Sequence, residues 1–403
     1  MAAILSTWMI RTLVGTGESG YTGDGGPPMQ ARLNEPKGVT IDCHGNVYVA
    51  DSENHVVRKV DRATGVLLTV AGMSGEEDHI RSAAEGEAPA QPMDEDPLAD
   101  GTGETGPAKF TQQADLSGTV RYWTNQAAIS VKRYGGDGGT AVQAQLNFPT
   151  AVAVDRKGNI YIADTMNHRI RMVDSGTGMI STLAGTGQAR FSGDGGPAYQ
   201  AALSEPAALA VDDGGRLYIA DQGNHRVRMV DLRTGVIRTV AGTGTATYDG
   251  DGRLAVDSAL AGPSGLALAG NRLYIADTFN GRVRCVDLSS GLMTTAAGDG
   301  GVYRYESPSD APSPSLSRPT GIALDQEGHL FLTDSDNHLI RQWDWASGTA
   351  VWVAGQGIPS YSGDDGAARG ASLCYPFGIV ADRDGTLLVA DTFNHRIRAL
   401  TLE

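Results

Sequence analysis

Long apolar runs are missing from this chain. No stretch of about 18 consecutive apolar residues occurs, which excludes a membrane-spanning helix. Cysteine is scarce: Cys43, Cys285 and Cys374 stand far apart among 403 residues in no paired spacing, which argues against a disulfide framework and a zinc cluster. Cations are also few, with 32 Lys and Arg against 47 Asp and Glu and a formal charge of -15. Sequence-independent nucleic-acid affinity comes from clustered Lys and Arg, so neither DNA nor RNA is expected as a partner. The first ten residues are mildly apolar but carry no basic segment, and Arg11 follows before any small-residue cleavage site. No secretory leader is expected, and the expected location is the cytoplasm.

What the chain does have is glycine, 54 residues of it, with an apolar fraction of 40%. That fraction suffices for a packed core, and the glycines do not recur every third residue as collagen requires, so they belong in turns. Length alone allows one large domain or several ordinary ones. Periodicity decides between them. The unit Asp-x-x-Asn-(His)-x-x-Arg begins at Asp51, Asp164, Asp221, Asp277, Asp334 and Asp391, in steps of 113, 57, 56, 57 and 57. A proline stands 14 or 15 residues ahead of each aspartate, at Pro36, Pro149, Pro206, Pro263, Pro319 and Pro376, and a leucine three residues ahead of each proline.

Within a unit the residues read as four short strands. In the third they are 209–211, 217–220, 226–230 and 236–240, separated by Asp-Asp-Gly-Gly, Gln-Gly-Asn-His and Arg-Thr-Gly. A 57-residue meander cannot bury both faces alone, and radial closure is how repeated four-stranded sheets protect their edges. The fold class expected is all-β: a six-bladed β-propeller of four-stranded antiparallel blades. The sixth unit stops at its third strand, whereas Met9 to Val14 matches the fourth-strand runs, so the N-terminal strand is expected to close the last blade.

The segments Tyr-Ile-Ala-Asp-Thr-Met-Asn-His-Arg-Ile-Arg (161–171) and Val-Ala-Asp-Thr-Phe-Asn-His-Arg-Ile-Arg (389–398) resemble the NHL repeat. The Gly-Asp-Gly-Gly-Pro-Ala linkers are similar to those of bacterial and algal NHL proteins and of the teneurin NHL module. The resemblance implies a six-bladed propeller over residues 1–403. It leaves function open, because such propellers include scaffolds, RNA binders and lyases.

The first step holds one surplus period. Residues 73–117 contain 11 acids against Arg81 and Lys109, with no strand-like run. The segment 73–133 is therefore read as an acidic low-complexity insertion between blades 1 and 2. A decayed seventh blade is the alternative.

Four sets of residues are candidates for chemistry. The repeated Asp, Asn and Arg are read as hairpin clamps, because active sites in symmetric repeats come from positions where the copies differ. His55, His168, His225, His338 and His395 occupy one repeated position, with Gly281 in the remaining copy, and are read as structural turn residues rather than ligands of one ion. The Gly-Asp-Gly linkers could hold calcium only with more oxygens than one or two carboxylates supply, so no cofactor and no metal are expected. An aromatic recurs near each linker aspartate: Tyr21, Tyr134, Phe191, Tyr248, Tyr305 and Tyr361. These six are the candidate binding residues, either as a collar for a partner or as rings packed on their own linker leucines. No catalytic set is visible. The function expected is a non-enzymatic scaffold, a monomer binding a protein or peptide on the loop face, without membrane or nucleic acid. The alternative is a metal-dependent lyase or hydrolase-like enzyme with a site at the channel mouth.

Overall fold

The computed structural model describes residues 7–74, 133–301 and 313–403. Most of the acidic insertion, residues 75–132, and Tyr305 lie outside the described residues. In each unit the first strand opens at the landmark proline, which has no N–H to donate and so suits a strand's first position. In blade 1 the strands are β2 (Pro36–Ile41), β3 (Val47–Asp51), β4 (Val56–Val60) and β5 (Leu67–Ala71), paired antiparallel in that order. Blades 2 to 5 repeat the order, and linker residues add a two-residue fifth strand at Arg253–Leu254.

Blade 3 shows how far the strands exceed the sequence reading. Pro206–Val211 and Arg216–Asp221 each start earlier than the apolar run alone suggests, because backbone pairing continues under the polar residues that flank it. The innermost strands lie side by side around the ring, and Pro376–Ala381 lies against β2, so the ring closes at six blades. Six hydrophobic clusters hold it. Each joins two consecutive blades, as where Ile162, Val152 and Ile180 pack on Tyr48, Ala50 and Val57. The landmark leucines belong to these clusters, with Leu33, Leu203, Leu260 and Leu373 wholly buried.

The N-terminal strand does close the last blade. β1 (Trp8–Val14) pairs antiparallel with Arg396–Leu402 and on its other side with Gly366–Ala367. Ile10 packs between blades 5 and 6, and Val14 between blades 6 and 1. Among the described residues no helix is long and apolar enough to cross a membrane.

Candidate functional site

The hairpin turn between the second and third strands of each blade marks one face of the ring. In blade 1 Asp51 Oδ1 accepts the Asn34 N–H at 2.6 Å and Oδ2 accepts Asn54 Nδ2 at 2.8 Å. Arg58 Nη1 stands 3.8 Å from Asp51 Oδ2, and both side chains are fully buried. The guanidinium also donates to the Arg32 and Thr22 carbonyls and pairs with the linker Asp24. The clamp therefore has a third member that spacing alone did not show: Asp137 on Arg171, Asp194 on Arg228, Asp251 on Arg284 and Asp364 on Arg398 repeat it. Burial pushes Asp51 up to about 7 against the opposing pull of these hydrogen bonds and of Arg58. The linker glycines shape the turn that delivers the second carboxylate. Gly193 has φ +87°, and a Cβ there would come within 2.5 Å of Ala201 Cα.

The repeated histidines join blades. Each caps its turn with left-handed backbone, and its Nδ1 accepts an N–H of the next blade: Phe148 on His55, Glu205 on His168, Gly262 on His225, Tyr375 on His338 and Glu35 on His395. Only the unprotonated nitrogen accepts, and burial holds all five below the ordinary imidazole value, His55 and His338 at about 4. The unfolded chain takes the proton first, so this stability is full above pH 6.5 and is lost as pH falls towards the folded value. For His55, against Phe148 and the Arg133 charge, the loss between pH 7 and pH 5 should be about 2 kcal/mol. Denaturant unfolding at both pH values should show that much less pH dependence in His55→Gln; an unchanged dependence would refute the latch.

The candidate aromatics take one repeated place. Tyr134 lies 3.7 Å below the Arg169 guanidinium and 5.0 Å from that of Arg171, and its hydroxyl donates to Asp137. Phe191, Tyr248 and Tyr361 sit equally under Arg226, Arg282 and Arg396. Tyr21 has only Arg58, because Val56 replaces the outer arginine in blade 1. The rings thus pack on arginines, and they lie over the third and fourth strands, where Tyr21 and Tyr134 also meet Thr69 and Thr182. They remain 39%, 39%, 36% and 39% exposed at Tyr134, Phe191, Tyr248 and Tyr361.

The residues nearest the channel are different ones, and the sequence reading passed over them. They flank the landmark proline or stand at the centre of the hairpin turn, and their combination differs from copy to copy: Glu35, Lys37 and Glu53 in blade 1, Phe148, Thr150 and Met166 in blade 2, Tyr375, Phe377 and Phe393 in blade 6. Lys37 Nζ is 3.2 Å from Glu35 Oε2 and lies over the rings of Phe148, Phe377 and Phe393 at 5.7, 4.8 and 4.7 Å. Burial lowers the Lys37 pKa. Burial first, then the Glu35 charge, pushes Glu53 up to about 7. Across the mouth Arg318 lies 5.0 Å over Phe279 and 3.7 Å from Asp336. The available signal was variation at fixed phase between invariant neighbours. Among the described residues no three His, Cys, Asp or Glu side chains are grouped to hold a metal ion.

Comparison with known proteins agrees with this geometry. The teneurin NHL domain model matches residues 13–90 and 124–192, and the NHL repeat model matches 203–228, 316–343 and 373–400. Protein SUPPRESSOR OF QUENCHING 1, chloroplastic, of Arabidopsis thaliana is 31% identical over 66% of this chain and 26% of its own length. NHL repeat-containing protein 2 of Homo sapiens is 26% identical over 78% of this chain and 39% of its own. The chain thus spans well under half the length of these relatives. A protein of unknown function from Bacteroides thetaiotaomicron VPI-5482 shares the fold with TM-score 0.61 at 16% identity, over 99% of this chain and 76% of that one. The chain belongs to the NHL-repeat family, as a six-bladed NHL propeller.

Proposed function

We propose that this propeller is a non-enzymatic interaction scaffold that binds a protein or peptide on the face carrying the hairpin turns. The observation that carries this reading is the division of labour among the repeats. The residues that the repeats share form clamps and latches, whereas the positions that vary between copies gather, buried to half-buried and chemically mixed, at the mouth of that face. A rigid surface with aromatic anchors and a charged rim suits macromolecular recognition. The exposed edges of Tyr134, Phe191, Tyr248 and Tyr361, and the half-buried Tyr21, extend the surface outward. Ser74 and Arg133, between which the acidic segment runs, stand on the same face: Arg133 O accepts the turn residue Asn167, and Ser74 follows β5.

A displayed random-peptide library panned against the full chain tests this. Selected peptides should lose about tenfold or more in affinity on Met166→Glu, at the centre of the blade 2 hairpin turn, or on Phe393→Ala, and keep it on Trp345→Ala, whose indole lies in a turn at the opposite face. Failure to select any binder, or loss only on Trp345→Ala, would overturn the reading.

A further inference from the structure

Resting on that reading, we propose that the blade 1 side of the mouth, formed by Glu35, Glu53 and the Phe393 ring around the buried Lys37, is a subsite for a cationic side chain of the partner, an arginine or lysine with its apolar stem. The mouth already holds cations of the chain itself in this manner twice. Lys37 is held by Glu35 and three phenyl rings, and Arg318 by Asp336 and Phe279. In both places a ring face and a carboxylate act together, the combination that best stabilises a partly desolvated cation.

Charge balance separates the two places. At blade 5 the described residues pair one guanidinium, Arg318, with one carboxylate, Asp336. At blade 1 a single ammonium meets two, because Glu53 stands beside Glu35 in the same blade, the Glu53 N–H donating to the carbonyl of Asn34 next to it. Among the described residues no ion pair reaches the Glu53 carboxylate, and the mutual repulsion of the two acids is part of what raises its pKa. Lys37, which both acids face, lies 4.7 Å from the partly exposed Phe393 ring, and the Tyr375 ring stands 5.3 Å from that one, edge to face. A partner's cation placed there would cancel the surplus and lay its methylenes on Phe393. Lys37 is too deeply buried to serve an outside anion, and its ammonium is already satisfied by Glu35.

The test uses capped arginine against capped citrulline, which has nearly the same shape without the charge, measured on the full chain by saturation-transfer NMR and calorimetry. Capped arginine should bind about tenfold more tightly than citrulline, and Glu53→Gln should remove that difference while leaving citrulline and the melting temperature unchanged. Phe393→Leu should weaken both ligands, and Glu327→Gln, 81% exposed at the opposite face, should affect neither. A second readout is proton release on arginine binding at pH 7, which the uncharged analogue cannot cause. Equal binding of the two ligands, arginine binding untouched by Glu53→Gln, or no binding of arginine at all overturns the subsite. Library peptides that need Met166 and Phe393 but carry no basic residue would sink the subsite and leave the scaffold reading standing; arginine binding at Glu53 without any selected peptide would do the reverse.

Discussion

Deleting residues 1–15 should turn a ring that elutes as a single species into one that aggregates. β1 is the outer strand of blade 6, paired along Arg396–Leu402 from Trp8 to Val14, so its loss bares a seven-residue edge with unpaired N–H and C=O groups. It also empties two interblade cores at once, since Ile10 is 1% exposed among residues of blades 5 and 6 and Val14 is 0% exposed among those of blades 6 and 1. Each lost aliphatic side chain removes about 1.5–3 kcal/mol of burial, before the loss of the clasp that fixes the first blade to the last. The Thr12 hydroxyl, which donates to Asp364, goes as well. Size-exclusion chromatography and thermal melting should show high-mass species and an early, broad transition. A synthetic peptide of residues 7–16 added during refolding should restore part of the sharp transition. A deletion variant with the elution and melting temperature of the intact chain would show that the clasp carries no weight.

The fold was legible because each invariant residue marks a structural duty that recurs at constant spacing. The proline opens the innermost strand, the leucine enters an interblade core, and Asp51, Asn54 and Arg58 meet across one hairpin. What spacing could not show is whatever crosses from one element to a distant one. The linker aspartate lies 34 residues before its arginine in the Arg58–Asp24 and Arg171–Asp137 pairs, and only the fold brings the two together. The histidines were assigned to turns correctly, but their acceptor nitrogens point at the next blade, beyond the reach of any within-unit argument. The arginines above the aromatic rings were missed for a related reason. Residues two apart on a strand share a side, so Arg169 and Arg171 both present guanidinium groups to Tyr134. The mouth stayed unread because a repeat search weights what is constant, and Lys37 and Glu53 are places where this blade departs from the others.

Replacing Arg228 by Met should cost about 3–5 kcal/mol, the loss that follows when one partner of a buried ion pair is removed and the other stays. Arg228 and Asp221 are both fully buried, with Nη1 3.4 Å from Asp221 Oδ2. Nη2 reaches the Ser192 carbonyl at 3.2 Å and the linker Asp194 at 2.5 Å. Met fills the volume under Phe191, whose ring centroid lies 4.7 Å from the guanidinium carbon, but leaves the buried Asp221 without its cation and frees the linker. Lys should recover little, since one ammonium cannot reach acceptors on both the hairpin and the linker with the planar fork that Arg provides. Asp221 Oδ1 still accepts the Ser204 N–H and Oδ2 the Asn224 amide, so Asp221→Asn added to Arg228→Met should return part of the loss by removing only the charge. Acid should help the single variant too. Burial already raises Asp221 to about 6 with the arginine in place, and its removal raises that value further. A carboxyl whose folded pKa exceeds its unfolded one favours the folded state at low pH and loses that contribution as pH rises through the folded value. The deficit of Arg228→Met relative to the parent chain should therefore be smaller at pH 5 than at pH 8 in urea titrations. A deficit below about 1 kcal/mol at pH 8 would mean that the clamp is no stronger than a surface ion pair.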